Sequence, residues 1–220
     1  MNRYGFHAGA TQNFGPLVTE RDAEFKPAVG ALNIHRYYYT SRKRNALIHQ
    51  TKPNDGMDGA LVALLVYDHC LETGQREKAK DFANRVFTGF NPDLRPKLNS
   101  PKAKRQISKG KALLSAYRSA GIDYVNFHWY FADTQALAEV VAFLKAQTGL
   151  PVITNEIGQQ TDDPKQTTAV MAKVVEMDLP IAVWFGLDGP KARGLVNPDG
   201  SLRSTGEAFK RFIEYRLDGN

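Results

Sequence analysis

The chain has 220 residues, of which 42% are hydrophobic and 24% charged, and 29 Lys and Arg against 23 Asp and Glu leave a formal charge of +6. This is the composition of a soluble globular protein, long enough for one sizeable core or two small domains. The single Cys70 excludes an internal disulfide framework and is expected to be a buried structural thiol. The first seven residues are not a secretory signal, and no segment approaches the ~20 apolar residues that span a bilayer, so we expect a soluble chain with no export address.

Residues 1–56 carry scattered Gly, Pro and Asn without a sustained period, which predicts loops and short strands. Residues 29–39 are rich in β-branched and aromatic side chains and could form a strand. The basic run RKR follows at residues 42–44. Aromatic side chains beside basic ones can stack on nucleic-acid bases, but a packed strand next to a solvated basic turn gives the same pattern.

The next segment predicts two helices. Asp58 is suited to cap the first helix, an apolar stripe with a 3.6-residue period follows it, and Gly74 ends it. A second, polar helix is expected over residues 75–84. The run VFTGF at residues 86–90, closed by NPD, is typical of a short strand.

From residue 97 the pattern becomes regular. Strands are predicted at residues 122–130, 152–155 and 181–185, and a helix follows each of them. The helix signals include a cap at Asp133 or Thr134, a stop at Gly149, and a cap at Asp162 or Asp163 before a proline at the first helical position. Before the first of these strands, a helix through Leu113, Leu114 and Tyr117 follows six basic residues, which are Lys97, Lys102, Lys104, Arg105, Lys109 and Lys111.

Together with residues 86–90, these strands give a strand–helix unit that is repeated four times. Continuous apolar strands alternating with amphipathic helices are typical of a parallel sheet covered by helices, so the predicted fold class is α/β. A doubly wound sheet usually shows a Gly-rich phosphate-binding turn, and the sequence has none. Periodicity alone does not decide whether the sheet is open or closed.

In either architecture, function gathers at the carboxyl ends of the strands. The four predicted strands end in TGFN at residues 88–91, NFHWY at 126–130, NE at 155–156 and WFGLD at 184–188. Aromatic faces suit the apolar faces of sugar rings, while His, Asn and carboxylate groups bind hydroxyls. Each residue also has a plain structural alternative: Trp184 and Tyr130 as core aromatics, His128 as a buried core histidine, Glu156 as a solvated loop residue.

Four phrases carry a specific resemblance: DYVNFHWY at residues 123–130, LPVITNEIG at 150–158, AVWF at 182–185 and GLVNPDG at 194–200. In order and spacing they resemble the C-terminal half of a glycoside hydrolase from the clan of retaining (β/α)8-barrel glycosidases, which includes cellulase-like, xylosidase-like and arabinogalactanase-like families. The resemblance covers about residues 84–217. It implies a parallel (β/α) barrel or partial TIM barrel, with its last four units in residues 84–220 and an atypical, poorly defined N-terminal segment in residues 1–83.

The resemblance also implies roles for single residues. Glu156 matches the nucleophile, which attacks the anomeric carbon and forms a glycosyl-enzyme intermediate. His128 and Tyr130 match residues that orient this carboxylate and contact the sugar, and hydrogen bonds from such groups favour the charged carboxylate. Trp184 matches the platform beneath the same ring. The remaining candidates for substrate binding are Asn126, Trp129 and Asn155.

The sequence departs from the clan in one respect. Retaining hydrolysis needs a second carboxyl group about 5–5.5 Å from the nucleophile, and the clan supplies it in an upstream Asn-Glu pair. Here the only Asn-Glu is Asn155-Glu156. A typical barrel runs to about 250 residues, and four further units do not fit into the first 83. We therefore expect weak or no glycosidase activity from this chain alone, unless a partner chain completes the barrel.

Two other functions remain open. A non-catalytic carbohydrate-binding protein would keep the aromatic rim, and its affinity for oligosaccharides would survive Glu156→Gln. A basic nucleic-acid-associated protein would use residues 97–111 and 42–44, although the chain shows no nucleic-acid-binding signature. No metal cluster or cofactor motif is apparent, and no membrane partner is expected. Localisation is left open because the clan is often exported and no signal is present.

Overall fold

A computed structural model describes residues 5–8, 57–88, 98–119, 122–187 and 194–217, the first of these ranges by its backbone. Four strands and six α-helices form in these ranges, together with one π-helical turn. The elements in chain order are β1 (Gly5–Ala8), α1 (Gly59–Glu72), α2 (Arg76–Ala83), the π-turn (Asn84–Thr88), α3 (Pro101–Ser119), β2 (Val125–Trp129), α4 (Thr134–Thr148), β3 (Val152–Ile157), α5 (Pro164–Glu176), β4 (Ile181–Trp184) and α6 (Ser204–Leu217).

The strands form one parallel sheet in the order β1-β4-β3-β2. Met57 adds an isolated parallel bridge to Phe127 on the outer edge of β2. The α/β class and the parallel sheet with helices are thus confirmed. Because all the strands run the same way, their carboxyl ends meet at one edge.

The strand predicted at residues 86–90 is wrong in the part that the structure describes. Residues 84–88 of the described chain continue α2 as the π-turn instead of joining the sheet. Val86 and Phe87 are buried in the hydrophobic core, so the apolar run reflects burial among helices and not strand pairing. The other half of that prediction, residues 89–93, lies outside the described residues.

The other boundaries follow the sequence closely. Three helices begin at an aspartate whose carboxylate accepts a backbone N–H of the first turn, as predicted for Asp58, Asp133 and Asp163. Gly149 ends α4 with a φ of 72°, a conformation that favours glycine. β3 runs two residues further than expected, so Glu156 lies inside the strand.

Most of the basic residues that were expected to precede the helix through Leu113 lie on that helix. The α3 helix begins at Pro101, so Lys102 to Lys111 lie on the helix itself, while Lys97 lies outside the described residues. Lys111 is ion-paired with Asp68 and Glu72 of α1. Partial burial acts to lower the pKa of Lys111, but the hydrogen bonds to these two carboxylates outweigh it and raise the pKa above its ordinary value.

Arg85 of the π-turn joins three elements. Its guanidinium lies 2.8 Å from Asp81, 3.0 Å from Asp133 and 2.9 Å from Glu139. Burial acts to lower the pKa of Arg85, but the bonds to Glu139 and Asp81 outweigh it and raise it further above its usual range, so this side chain stays charged at any working pH. The cluster ties the π-turn to the start of α4, the helix that follows β2.

A single hydrophobic cluster extends from Met57 to Leu195 and includes side chains from both sides of residue 83. The division of the chain at residue 83 stays a prediction. Cys70 is buried in this cluster, as expected, and burial raises the pKa of its thiol. The predicted strand at residues 29–39 and the basic run at 42–44 lie outside the described residues. Among the helices that the structure describes, none is both long and apolar enough to cross a membrane.

Candidate active site

The carboxyl ends of β2 and β3 bring Glu156 and His128 together. His128 is in register with Glu156, and one position further on Trp129 is in register with Ile157. Neighbouring residues on paired strands share a face of the sheet, and successive residues on one strand alternate between faces. Glu156 and His128 therefore lie on one face, and Trp129 and Ile157 lie on the other.

The two oxygens of the Glu156 carboxylate face different side chains. The Tyr130 hydroxyl donates a hydrogen bond to Oε1 at 2.7 Å, and His128 Nδ1 lies 3.5 Å from Oε2. The Glu156 side chain is 21% exposed and that of His128 is 9% exposed, so the carboxylate is shielded but still reachable from solvent. This arrangement fixes the orientation of the carboxylate at the carboxyl edge of the sheet.

Tyr130 is positioned by residues that follow β3 and β4. Its ring meets Phe185, just after β4, edge to face at a centroid distance of 6.0 Å. A Cβ added to Gly158 would lie 3.0 Å from Tyr130 Cε1, so the glycine leaves room for the ring beside the backbone that follows β3. The Gly158 N–H donates to the Trp129 carbonyl at 3.0 Å, and the backbone ladder thus reaches the site.

Asn126 and Asn155, two further candidates from the sequence, contact each other. Asn126 Nδ2 donates to Asn155 Oδ1 at 2.6 Å, and the Asn155 backbone N–H donates to Asn126 Oδ1 at 2.9 Å. Asn126 is completely buried, whereas Asn155 is half-buried. The structure therefore places Asn126 against Asn155, the residue before Glu156, with the Asn126 amide bonded within the protein.

The two tryptophans lie on the other face of the sheet. Trp184 is in register with Ile157, is 1% exposed, and packs edge to face on Phe209 of α6. Trp129 is 0% exposed and contacts the ring of Phe131 at a centroid distance of 4.8 Å. The structure does not bring these indoles to the carboxylate of Glu156, and their sugar contacts stay predictions.

Two residues that support the site, Met57 and Gly59, were not predicted as site residues. The backbone of Met57 pairs with β2 on both sides of Phe127, through bonds to the Asn126 carbonyl at 3.0 Å and from the His128 N–H at 2.9 Å. A Cβ on Gly59 would lie 2.6 Å from the His128 carbonyl oxygen, so α1 begins in close contact with β2. The signal for this contact was the glycine directly after the Asp58 cap.

Over the residues that the structure describes, no group of three or more His, Cys, Asp or Glu side chains could hold a metal ion.

Two solved structures resemble parts of the chain. One is an oligosaccharide-binding protein of GH128 subgroup VII from Trichoderma gamsii, with 17% identity and a TM-score of 0.38 over 45% of this chain and 44% of that one. The other is a GH128 subgroup VI exo-beta-1,3-glucanase from Aureobasidium namibiae, with 18% identity and a TM-score of 0.35 over 60% of this chain and 59% of that one. The matched parts thus span 44% and 59% of these two proteins.

A search of curated proteins found no match. The model of the family described as "Glycosyl hydrolase catalytic core" matches residues 84–209, which is more than half of the chain. This matched range contains β2, β3 and β4 with Glu156, His128 and Tyr130. The chain belongs to the glycosyl hydrolase catalytic core family.

Proposed function

We propose that this chain binds oligosaccharides at the carboxyl edge of its sheet and that Glu156 is the nucleophile of a retaining glycosidase site. One observation carries the proposal: the Glu156 carboxylate sits at a strand end, bonded to the Tyr130 hydroxyl at 2.7 Å and facing His128 at 3.5 Å. The sugar contacts of His128 and Tyr130 belong to the same proposal.

In the proposed reaction, a carboxylate oxygen of Glu156 attacks the anomeric carbon. The bond to the glycosidic oxygen breaks, the leaving group departs with that electron pair, and a glycosyl ester forms on Glu156. Water then attacks the anomeric carbon, loses a proton to solvent, and releases the carboxylate and a sugar of unchanged anomeric configuration. The Tyr130 hydroxyl holds the carboxylate in place, so little orientational freedom is lost when it attacks.

We also propose that the sheet is part of a (β/α) barrel of the retaining clan. The pairing of β1 with β4 supports this, because a closed barrel requires the first strand of the chain to lie beside the last. The Met57 bridge continues the sheet beyond β2. In this proposal residues 84–220 supply the last units, and residues 1–83 or a partner chain supply the rest.

The proposed activity is limited by the leaving group. The only Asn-Glu pair is the one that contains Glu156, and the clan's acid/base comes from a second, upstream pair. Without a positioned acid, an alkoxide leaving group departs unprotonated, and general acid catalysis contributes about 10²–10⁴-fold. Aryl glycosides with a 2,4-dinitrophenolate leaving group need no acid. We therefore propose that any activity of this chain alone is weak and confined to such activated glycosides, and that unactivated oligosaccharides are left nearly untouched.

The test compares dinitrophenolate release from 2,4-dinitrophenyl β-glucoside, β-xyloside, β-galactoside and α-L-arabinofuranoside. The wild-type chain is compared with Glu156→Gln and with Glu176→Gln, which removes an exposed carboxylate of α5 that is paired with Lys173. The proposal predicts release by the wild type and by Glu176→Gln, and background release by Glu156→Gln. Equal release by all three proteins, or none by the wild type on any of these sugars, would refute it.

A second function, non-catalytic carbohydrate binding, is favoured by the same missing acid/base pair. A binding protein needs the side chains at the carboxyl edge of the sheet but not the charge on Glu156. Calorimetric titration with gluco-, xylo- and galacto-oligosaccharides separates the two: affinity that is unchanged in Glu156→Gln, together with no dinitrophenolate release by the wild type, would select the binding protein.

A further inference from the structure

We propose that Asn126 is a positioning residue: its buried amide holds a bulge in β3, and this bulge turns Glu156 instead of Asn155 towards His128. The inference deepens the proposed function and rests on it for the role of Glu156 as nucleophile. Its structural content, the dependence of the bulge on Asn126, stands separately.

The bulge is visible in the register of β3 with both of its neighbours. From Asn126 to His128, β2 advances two positions, while β3 advances three, from Ile153 to Glu156. Against β4 the same step occurs, since Thr154 pairs with Ala182 and Ile157 pairs with Trp184. One extra residue is therefore accommodated in β3 within residues 154–156, directly before the end of the strand. Such bulges re-aim side chains.

Side-chain oxygens accept hydrogen bonds from the backbone of the bulge. The Asn155 N–H donates to Asn126 Oδ1 at 2.9 Å, and the Glu156 N–H donates to Thr154 Oγ1 at 3.4 Å. Asn126 Nδ2 also donates to Asn155 Oδ1 at 2.6 Å, so one amide group is hydrogen-bonded to both the backbone and the side chain of Asn155. Asn126 is 0% exposed, so its amide is shielded from water, and removing that amide takes the acceptor away from the Asn155 N–H at a cost in free energy.

The bulge decides which residue faces the site. In a regular strand, the residue two positions after Ile153 would lie opposite His128, and that residue is Asn155. Glu156 would then turn to the face of Trp129 and Trp184, where its carboxylate would meet a buried apolar layer. The extra residue reverses this alternation and places Glu156 beside His128 and within reach of the Tyr130 hydroxyl. Asn126 therefore acts through the position of Glu156 and not by contact with the sugar.

The first test is the crystal structure of Asn126→Ala, combined with its rate of dinitrophenolate release. We expect β3 to lose the extra residue or its fixed register and the Tyr130–Glu156 hydrogen bond to be broken. Release should slow by about 100-fold, since a misplacement of about 1 Å at a reacting group can cost that much. The control is Thr148→Val at the last residue of α4, which removes a buried hydroxyl that donates to the Leu144 carbonyl at 2.7 Å and accepts from the Leu150 N–H at 3.3 Å, outside β3 and its bulge. It should lower stability and leave the rate per folded molecule unchanged.

A bulge and a Tyr130–Glu156 bond that persist unchanged in Asn126→Ala would overturn the inference. If Asn126→Ala does not fold, Asn155→Ala is the deciding variant. It removes the hydrogen bond from Asn126 Nδ2 to Asn155 Oδ1 at a half-buried position and keeps the bond from the residue 155 N–H to Asn126 Oδ1. We expect it to fold, with faster hydrogen exchange at the amides of residues 155 and 156 and a smaller loss of rate. Unchanged exchange in Asn155→Ala would equally overturn the inference. If the wild type itself releases no dinitrophenolate, the proposed function fails, while the register of β3 in the variants still decides the role of Asn126.

Discussion

Replacing Arg85 by Met tests how the π-turn is held to the rest of the fold. The Arg85 side chain is 18% exposed, and its partners differ in exposure: Asp81 is 62% exposed, while Asp133 and Glu139 are 25% and 19% exposed. The bond to Asp81 should contribute little, because exposed ion pairs are worth about 0–1 kcal/mol. The other two are shielded, and their loss leaves two carboxylates close together without a cation.

Breaking a fully buried ion pair costs about 3–5 kcal/mol, and hydrogen bonds to charged groups contribute about 1.5–3 kcal/mol. The partial exposure of Asp133 and Glu139 lowers this, so we expect Arg85→Met to reduce the free energy of unfolding by about 2–3 kcal/mol. Arg85→Lys should recover only part of the loss, because an ammonium group cannot present the planar fork that reaches three carboxylates.

The assay is urea-induced unfolding followed by circular dichroism at constant salt and pH 7. The matched control is Lys80→Met on α2, which removes a cation that lies 3.9 Å from Glu77 and is 63% exposed. Its effect should stay within about 0.5 kcal/mol. A change of less than about 0.5 kcal/mol in Arg85→Met would refute the reasoning, because it would mean that the shielded carboxylates gain nothing from the cation.

Three further predictions concern the site and the helix layer. Tyr130→Phe removes the hydrogen-bond donor to Glu156 and should slow dinitrophenolate release by about 10–100-fold, as expected for a charge-assisted bond of about 1.5–3 kcal/mol. The control Tyr215→Phe, on the exposed face of α6, should leave the rate unchanged. Equal rates in Tyr130→Phe and wild type would contradict the role of the hydroxyl. Gly158→Ala places a methyl group 3.0 Å from the Tyr130 ring and should slow the same reaction, and a crystal structure with an unmoved ring and an unchanged rate would contradict this. Because the pKa of Lys111 is raised in the folded chain, the stability that its charge adds should be complete below the ordinary lysine pKa of about 10.4 and be lost as the pH rises through the folded value. The difference in unfolding free energy between wild type and Lys111→Met should therefore be constant from about pH 7 to 9 and shrink above that. A constant difference up to about pH 12 would contradict the ion pair.

The helices and most strands were readable from the sequence because their signals are local. Asp133 and Gly149 mark the two ends of α4, and the apolar period between them identifies its buried face. Glu156 was found through the phrase around it, which matches a known family. These features depend on residues close together in the chain.

The parts that could not be predicted depend on contacts between distant residues. β1 has four residues and no period of its own, and it is defined by pairing with β4 far along the chain. Val86 and Phe87 are strand-forming residues, but their burial among helices and the ion pairs of Arg85 hold them in a helical turn. Whether Glu156 shares a face of the sheet with Trp184 depends on the register of β3, which the bulge sets and composition does not show.

The central claim is that Glu156 forms a covalent bond to sugar, and trapping the intermediate tests it most directly. A 2,4-dinitrophenyl 2-deoxy-2-fluoroglycoside forms the glycosyl ester and slows its hydrolysis, so the adduct accumulates. After incubation with the wild-type chain and proteolysis, peptide mass spectrometry should find one added fluoroglycosyl group, on the peptide that contains Glu156, and none in Glu156→Gln. An adduct on a different carboxylate would contradict the account, as would the absence of any adduct on a sugar whose dinitrophenyl glycoside the chain cleaves.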